Sequence, residues 1–377
     1  MRIGYISSYP PVECGIATYS AYLIDALREK GTDVYVVSHL GASGPQVFAA
    51  FNENDLDDKA YQVALRFTPD IVHVQHEFGL YGPHFGVNIL PVIVKFRLIG
   101  VPVVTTLHTV YEDPQPGHRI LIENILANSE RVVVHQDYQR RTLERLYPPH
   151  YTRKVTVIPH GARLVDPLAH AKARLGLPAD RKVILLIGYF RPSKHFELIV
   201  DLLPEILQRY PNALLVLAGK IRNQEYSDYR DRLFDHIRRS PAQDHIRVIL
   251  GQLRQETFDT ILSAADVVVL PYKITSQSGI LAHCLAFGRP VVTSDTPAMR
   301  ELISESGAGV IVESEAQYPG VIAALLGDET KSRRMSEAAR RFVREKLAWP
   351  LVAERHIALY RQLYRCPDIG SQIIVVD

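Results

Sequence analysis

The sequence predicts an α/β protein made of two doubly wound, Rossmann-like parallel-sheet domains, and three observations carry that expectation. Short apolar runs alternate with helical patterns, as successive strand, crossover and parallel strand units require. The alternation stops once and starts afresh, so there are two series rather than one. The chain of 377 residues, 47% of them hydrophobic, is too long for one typical core but fills two domains of roughly 170 residues each.

The first series runs through 3–6, 34–37, 71–74, 101–105, 131–134 and 155–158. The second runs through 182–187, 214–217, 246–249, 267–270, 290–293 and 309–312. Between them, 162–178 has no strand signal and carries a short amphipathic helix ending at Gly176, which suits an interdomain connection. Residues 347–363 place Trp349, Leu351, Ile357, Leu359, Tyr360 and Leu363 at helical spacing. The tail 366–377 is ambiguous, with 373–376 either an added strand or disordered. The expected domains are therefore 1–165 and 177–345, followed by a terminal helix over 347–365.

Composition excludes several function classes. A net charge of +2 gives no dominant basic field for nucleic acid. Arg140, Arg141 and Arg145 share a helical stretch with Glu144 and read as a solvated face. Cys14, Cys284 and Cys366 are odd in number and lack metal-type spacing, so neither a disulfide framework nor a zinc site is supported. No run approaches eighteen apolar residues, and 1–6 leads straight into a strand without signal-peptide character. A cytoplasmic protein is expected, with peripheral contact to the inner face of a membrane left open and the oligomeric state unspecified. Asp57-Asp58, in a polar loop, makes no metal site.

Four segments could carry chemistry. After strand 267–270, Ser276, Gln277, Ser278 and Gly279 put small residues and free amides at the start of an apolar helix that begins at Ile280, where orphan N–H groups and the helix dipole favour phosphate oxygens. After the first strand, Gly15 opens a helix and either admits a ligand close to the backbone or simply serves a tight turn. His76-Glu77 and His108 fall at the carboxyl ends of parallel strands, the edge where open α/β sheets collect ligands. Arg191 and Lys194 follow the strand at 182–187; on their own they read as solvated loop charges.

The stretch Leu285-Ala286-Phe287-Gly288-Arg289-Pro290-Val291-Val292, followed by Glu301, resembles the donor-binding signature of the family 4 retaining glycosyltransferases. The resemblance spans nearly the whole chain in order. It implies the GT-B fold, two Rossmann-like domains facing across a cleft, and transfer of a hexosyl unit from a nucleoside-diphosphate sugar such as GDP-mannose or UDP-glucose to a carbohydrate or glycolipid-type acceptor. It also implies retention of configuration and no metal or other cofactor.

Residue by residue, the resemblance assigns Lys194 to the diphosphate, Gln277, Ser278, Gly279 and Ile280 to the donor loop, Glu301 to the ribose, and Gly15 to the amides bordering the donor phosphates. His108 matches the histidine that bonds the donor sugar, and the terminal helix matches one that returns to the first domain. His76 and Glu77 are acceptor-side candidates. The sequence departs from the usual pattern in two places: Thr275 and His283 stand where most members carry a pair of Glu, and Tyr189 stands where an Arg usually follows the glycine, leaving Arg191 two residues on. A nucleotide-sugar epimerase of the same fold, or a catalytically silent nucleotide-sugar-binding protein, are the alternatives.

Overall fold

A computed structural model describes residues 1–220, 226–251 and 253–364. The tail 366–377, with Cys366 and the ambiguous 373–376, lies outside the described residues, as does residue 365 at the end of the expected terminal helix. The chain divides into two compact units, one of residues 1–158 together with Trp349 onward, the other Pro159–Ala348.

The first unit holds β1 (Arg2–Ile6), β2 (Asp33–His39), β3 (Val47–Phe51), β4 (Ile71–His76), β5 (Val103–Leu107), β6 (Arg131–Val134) and β7 (Val155–Val157). They form one sheet in the order β3-β2-β1-β4-β5-β6-β7, every pair parallel. The second unit holds β8 (Lys182–Ile187), β9 (Ala213–Gly219), β10 (Ile246–Leu250), β11 (Val267–Leu270), β12 (Val291–Ser294) and β13 (Gly309–Val312), in the parallel order β10-β9-β8-β11-β12-β13. These are the two doubly wound sheets that the alternating pattern predicts. Strands β4 and β9 are buried along their whole length, as expected where crossover helices cover both faces.

In each sheet the strand order reverses once, between β1 and β4 and between β8 and β11. A crevice opens outside the carboxyl ends of the strands at such a switch point. The carboxyl ends of β1, β4, β8 and β11 and the segments that follow them carry Gly15, His76-Glu77, Arg191-Lys194 and Gln277-Ser278, so topology alone puts most of the candidate residues at these two edges.

Strand period 2 sorts the first unit into two cores. Ile6, Val72 and Val74 face a cluster with Ile89, Val92 and Phe96. Ile3, Tyr5 and Ile71 face the opposite one, with Tyr19, Leu23 and the terminal helix Trp349–Leu363. That helix lays Trp349, Val352, Ala353, Ile357 and Tyr360 against the helix Gly15–Glu29. Trp349 packs edge-on to Tyr19 at 5.3 Å and stacks on Tyr22 at 5.8 Å, and Lys30 pairs with Glu354 at 2.6 Å.

Two sequence expectations change. Strand β3, Val-Phe-Ala-Ala-Phe, is an apolar run that the expected strands leave out; it lies mostly half-exposed at the sheet edge. Asp57 and Asp58 sit in the first turn of the helix Leu56–Leu65, not in a loop, and both pair with Lys95, at 3.5 and 2.9 Å; two carboxylates there suit the positive end of the helix dipole. Arg140 and Arg141 do form a solvated helix face, paired with Asp137 and Glu144 on the helix Asp137–Leu146. No described helix is long and apolar enough to cross a membrane.

Candidate active site

In the second unit the loop after β8 is held from below. Gly188 adopts φ +136°, a region open to glycine and costly for other residues, and Phe190 is fully buried, with its amide donating to the Lys220 carbonyl at 2.9 Å. The chain then makes a 3-10 turn over Pro192–Lys194, with the Lys194 amide donating to the Arg191 carbonyl at 2.9 Å. This turn drops the half-buried Lys194 side chain onto the face of Tyr272, its Nζ 3.3 Å from the ring centroid. Tyr272 follows β11, so the contact spans the switch point between β8 and β11. Burial, then the nearby Arg191 charge, holds the Lys194 ammonium well below the ordinary lysine value. Arg191 itself is exposed. A cation over a ring and short of solvent is a site at which a polyanion would be strongly welcomed.

The loop after β11 closes on itself before the helix begins. Thr275 Oγ1 donates to the Gln277 carbonyl at 3.0 Å, and Ser294 Oγ donates to the Tyr272 carbonyl at 2.6 Å. Ser278 is the N-cap of the helix Gly279–Ala286, its Oγ accepting from the Leu281 amide at 3.2 Å. The cap takes one amide of the first turn; those of Gly279 and Ile280 keep the outward orientation of any helix start. Gln277 Nε2 is buried without a partner, a state that costs about 1–3 kcal/mol and that an added acceptor would relieve.

His283 is half-buried on that helix, with its Nδ1 buried and unpartnered. Its ring stands edge-on to Phe258 at 5.1 Å. Burial, and then the neighbouring His160 and Arg163, push its pKa down to about 3. Arg163 is held by Asp259 in a two-pronged ion pair at 3.0 and 2.5 Å. His160 borders the same helix start, with Nε2 3.5 Å from where a Cβ on Gly279 would lie. Glu301 is the fifth residue of the helix Pro297–Ser306 and half-buried.

In the first unit, Gly15 begins the helix Gly15–Glu29 without a positive φ, and a Cβ there would meet nothing within 4 Å. The tight-turn explanation for this glycine therefore fails. His108 is 3% exposed, and both of its ring nitrogens are engaged inside the unit. Nε2 bonds to Gln75 Oε1 at 2.8 Å and Nδ1 to His135 Nε2 at 3.2 Å. Tyr19 packs edge-on to the ring at 4.8 Å. A bond from His108 to a sugar must replace or share one of these partners.

His76 and Glu77 fare differently from each other. His76 has no exposed surface, neither ring nitrogen has a partner, and burial pushes its pKa down to about 3. Its imidazole has no face to offer an acceptor, which corrects its placement among the acceptor-side residues; its carbonyl accepts from the His108 amide at 3.1 Å. Glu77 is half-buried and accepts from Thr109 Oγ1 at 2.7 Å and from the Phe78 amide at 3.1 Å.

The structure thus joins Lys194 to Tyr272, Gln277 to Thr275, His283 to Phe258, and His108 to Gln75 and His135. Sequence reasoning missed Tyr272, His160, Gln75 and His135. For Gln75 a signal existed: His73 and Gln75 are polar residues two apart within a strand otherwise fit for full burial. Among the described residues no group of three His, Cys, Asp or Glu is arranged to hold a metal ion.

Comparison with known proteins agrees with this architecture. The model of the family described as Glycosyltransferase Family 4 matches residues 14–165, and that described as Glycosyl transferases group 1 matches residues 169–342. A D-inositol 3-phosphate glycosyltransferase of Kineococcus radiotolerans is 28% identical over 70% of this chain and 66% of its own length, so this chain spans just under two thirds of that relative. A phosphatidyl-myo-inositol mannosyltransferase of Mycobacterium leprae is 26% identical over the full length of both chains. Among solved structures, sucrose-phosphate synthase from Thermosynechococcus elongatus superposes with a TM-score of 0.77 at 20% identity, covering 97% of this chain and 99% of that one. HepE of Anabaena, solved with UDP-glucose, gives 0.77 at 16% identity over 96% and 100%; these two likenesses bear on the fold alone. With one family model over each sheet, the chain belongs to the family 4, group 1 glycosyltransferases and has their GT-B fold.

Proposed function

We propose that the chain moves a hexosyl unit, with mannosyl favoured, from a nucleoside-diphosphate sugar to a carbohydrate or glycolipid-type acceptor, with retention of anomeric configuration and without a resident metal or other cofactor. The observation that carries this reading is the Lys194 ammonium seated on Tyr272 at the switch point of the second sheet, beside a capped helix start. A diphosphate leaving group gains negative charge as the glycosidic bond breaks, and a preorganised cation with two helix amides is suited to receive it. Lys194, Arg191 and the amides of Gly279 and Ile280 would hold the phosphates. Gln277 and Ser278 would shape the loop around them, and His283 and Glu301 would bond the ribose. On the first unit Gly15 would border the phosphates, His108 would serve the sugar, and Glu77 the acceptor.

The names of the relatives support a sugar transferase acting on an inositol-containing or glycolipid acceptor, and HepE, crystallised with UDP-glucose, supports a nucleotide-sugar donor. The reaction would take place in the cytoplasm, as a step of polysaccharide or glycolipid assembly. A second reading, binding without transfer, draws on Thr275, which stands in place of a family carboxylate and spends its hydroxyl on the Gln277 carbonyl. A panel of nucleoside-diphosphate sugars, screened first by thermal shift and then for release of free sugar or transfer, separates the two. A donor at a hundredfold excess over its dissociation constant adds about 2.7 kcal/mol of stability. Slow hydrolysis of a stabilising donor supports the enzyme; stabilisation with no turnover supports the binder, and no stabilisation by any donor refutes both.

A further inference from the structure

We propose that Gln75 is the positioning residue of His108, and that the orientation of its amide sets which nitrogen of His108 carries the proton and whether the His108–His135 pair holds one proton more. The proposal rests on the reading in which His108 serves the transfer, and it comes from a chain of side chains buried in the first unit. Tyr360 OH lies 2.6 Å from His73 Nδ1. His73 Nε2 lies 3.1 Å from Gln75 Nε2 and 2.8 Å from Thr106 Oγ1. Gln75 Oε1 lies 2.8 Å from His108 Nε2, His108 Nδ1 lies 3.2 Å from His135 Nε2, and His135 Nδ1 lies 3.1 Å from the Ile158 carbonyl. His73 and Gln75 are fully buried, and His108 and His135 are 3% and 2% exposed.

One end of the chain is fixed, because a backbone carbonyl can only accept. His135 must carry a proton on Nδ1, and if the ring is neutral its Nε2 accepts from His108 Nδ1–H. A neutral His108 then has a lone pair on Nε2 and needs a donor from Gln75. The oxygen and nitrogen of an amide exchange places by a half-turn. With the amide turned from the placement above so that its NH2 meets His108, Gln75 Oε1 receives His73 Nε2–H, and His73 Nδ1 accepts from Tyr360 O–H. Every link is satisfied and every ring is neutral. With Oε1 turned to His108 instead, His108 must donate from Nε2 while His135 still donates to Ile158. The His108–His135 pair then holds one extra proton, taken from solvent.

Thr106, whose hydroxyl both donates and accepts, fits either arrangement. The other titratable groups packed on the chain are Tyr19 and Tyr5 on the edges of the His108 and His73 rings, and His356 with Tyr360 from the terminal helix. Burial raises the three tyrosines and lowers His356, so all four are uncharged near neutral pH. Burial of the His108–His135 pair favours the neutral arrangement at rest.

The test is long-range nitrogen–proton NMR on the whole protein labelled at histidine, near neutral pH. His108 and His135 are expected in the Nδ1–H form, which free histidine disfavours, and His73 in the Nε2–H form. The Gln75→Glu carboxylate, once ionised, can only accept, so it should make His108 an imidazolium at a pH where the unaltered ring is neutral. It should also change kcat by roughly tenfold or more while moving the donor KM by less than about twofold. His108 found in the Nε2–H form in the unaltered protein overturns the proposal, and that reading needs no variant to fold. A folded Gln75→Glu protein with an ionised carboxylate beside a neutral His108, or with unchanged kcat, overturns it as well. If the unaltered protein turns over no nucleotide sugar while the tautomers are as expected, the transfer reading fails and the proton chain stands, without its proposed use in catalysis.

Discussion

Replacing His283 in two ways separates a ribose contact from a packed core residue, because the two roles predict opposite orders. The ring is half-buried against Phe258, and its Nδ1 is buried with no partner. If it only packs, His283→Leu removes that orphan nitrogen and keeps the apolar contact, so the melting temperature should hold or rise. His283→Glu would then bury a carboxylate beside Asp259, whose own charge already takes both prongs of Arg163, and the fold should suffer. If His283 bonds the ribose, His283→Leu should weaken donor affinity by about 1–3 kcal/mol, roughly 5- to 150-fold, by leaving a hydroxyl unpaired in the bound state. His283→Glu should preserve or raise that affinity, since a carboxylate accepts from ribose hydroxyls.

Acid unfolding adds a readout independent of ligand. With its pKa near 3 in the folded chain and about 6.5 when unfolded, His283 stays neutral where the unfolded chain takes up a proton. Its contribution makes stability fall as pH drops from about 6.5 towards 3, and His283→Leu should flatten that part of the limb. Paired melting curves and calorimetric titrations on both variants decide the question. A stable Leu variant that binds donor as tightly as the unaltered protein would refute the ribose contact.

His108→Ala should reduce turnover far more than affinity for the bare nucleoside diphosphate, because the residue belongs to the first unit and is proposed to serve the sugar; calorimetry with the diphosphate alone checks it, and a large affinity loss would contradict it. Gly15→Ala should leave stability unchanged or raise it by up to about 1 kcal/mol, since the site is open and the backbone conformation ordinary, while donor-dependent turnover falls; equal turnover would remove Gly15 from the site. Burial also holds His76 near pKa 3 and His160 and His356 near 4. The protein should therefore lose stability between about pH 6.5 and 4, as unfolding lets these rings charge, and denaturant midpoints that stay level across that range would contradict their buried neutral state.

The fold was legible because burial on both sheet faces leaves strands as apolar runs. Twelve of the strands sit on the runs expected from the sequence to be strands; β3, at the sheet edge and mostly half-exposed, also has an apolar run, Val47–Phe51, but is not among them. The phosphate-side candidates were legible because a loop between a strand and a helix has few ways to end, and Ser278 caps its helix as small residues at that position should. What escaped the sequence was the set of partners brought in from distant segments. Tyr272 lies beneath Lys194 only because β8 and β11 are neighbours, and His135 meets His108 only because β5 and β6 are. The full burial of His76 follows from the packing of Phe78 over the strand end, which no local pattern announces.

Titration of the unaltered protein and of Lys194→Met with UDP-glucose and GDP-mannose, followed by turnover of whichever donor binds, tests the central claim most directly. The ammonium over Tyr272 is expected to be worth roughly two to three powers of ten in transfer rate, about 2.7–4 kcal/mol, as for loss of one preorganised group at a developing anion. Donor affinity and turnover unchanged in a folded Lys194→Met protein would contradict a diphosphate site at the second switch point.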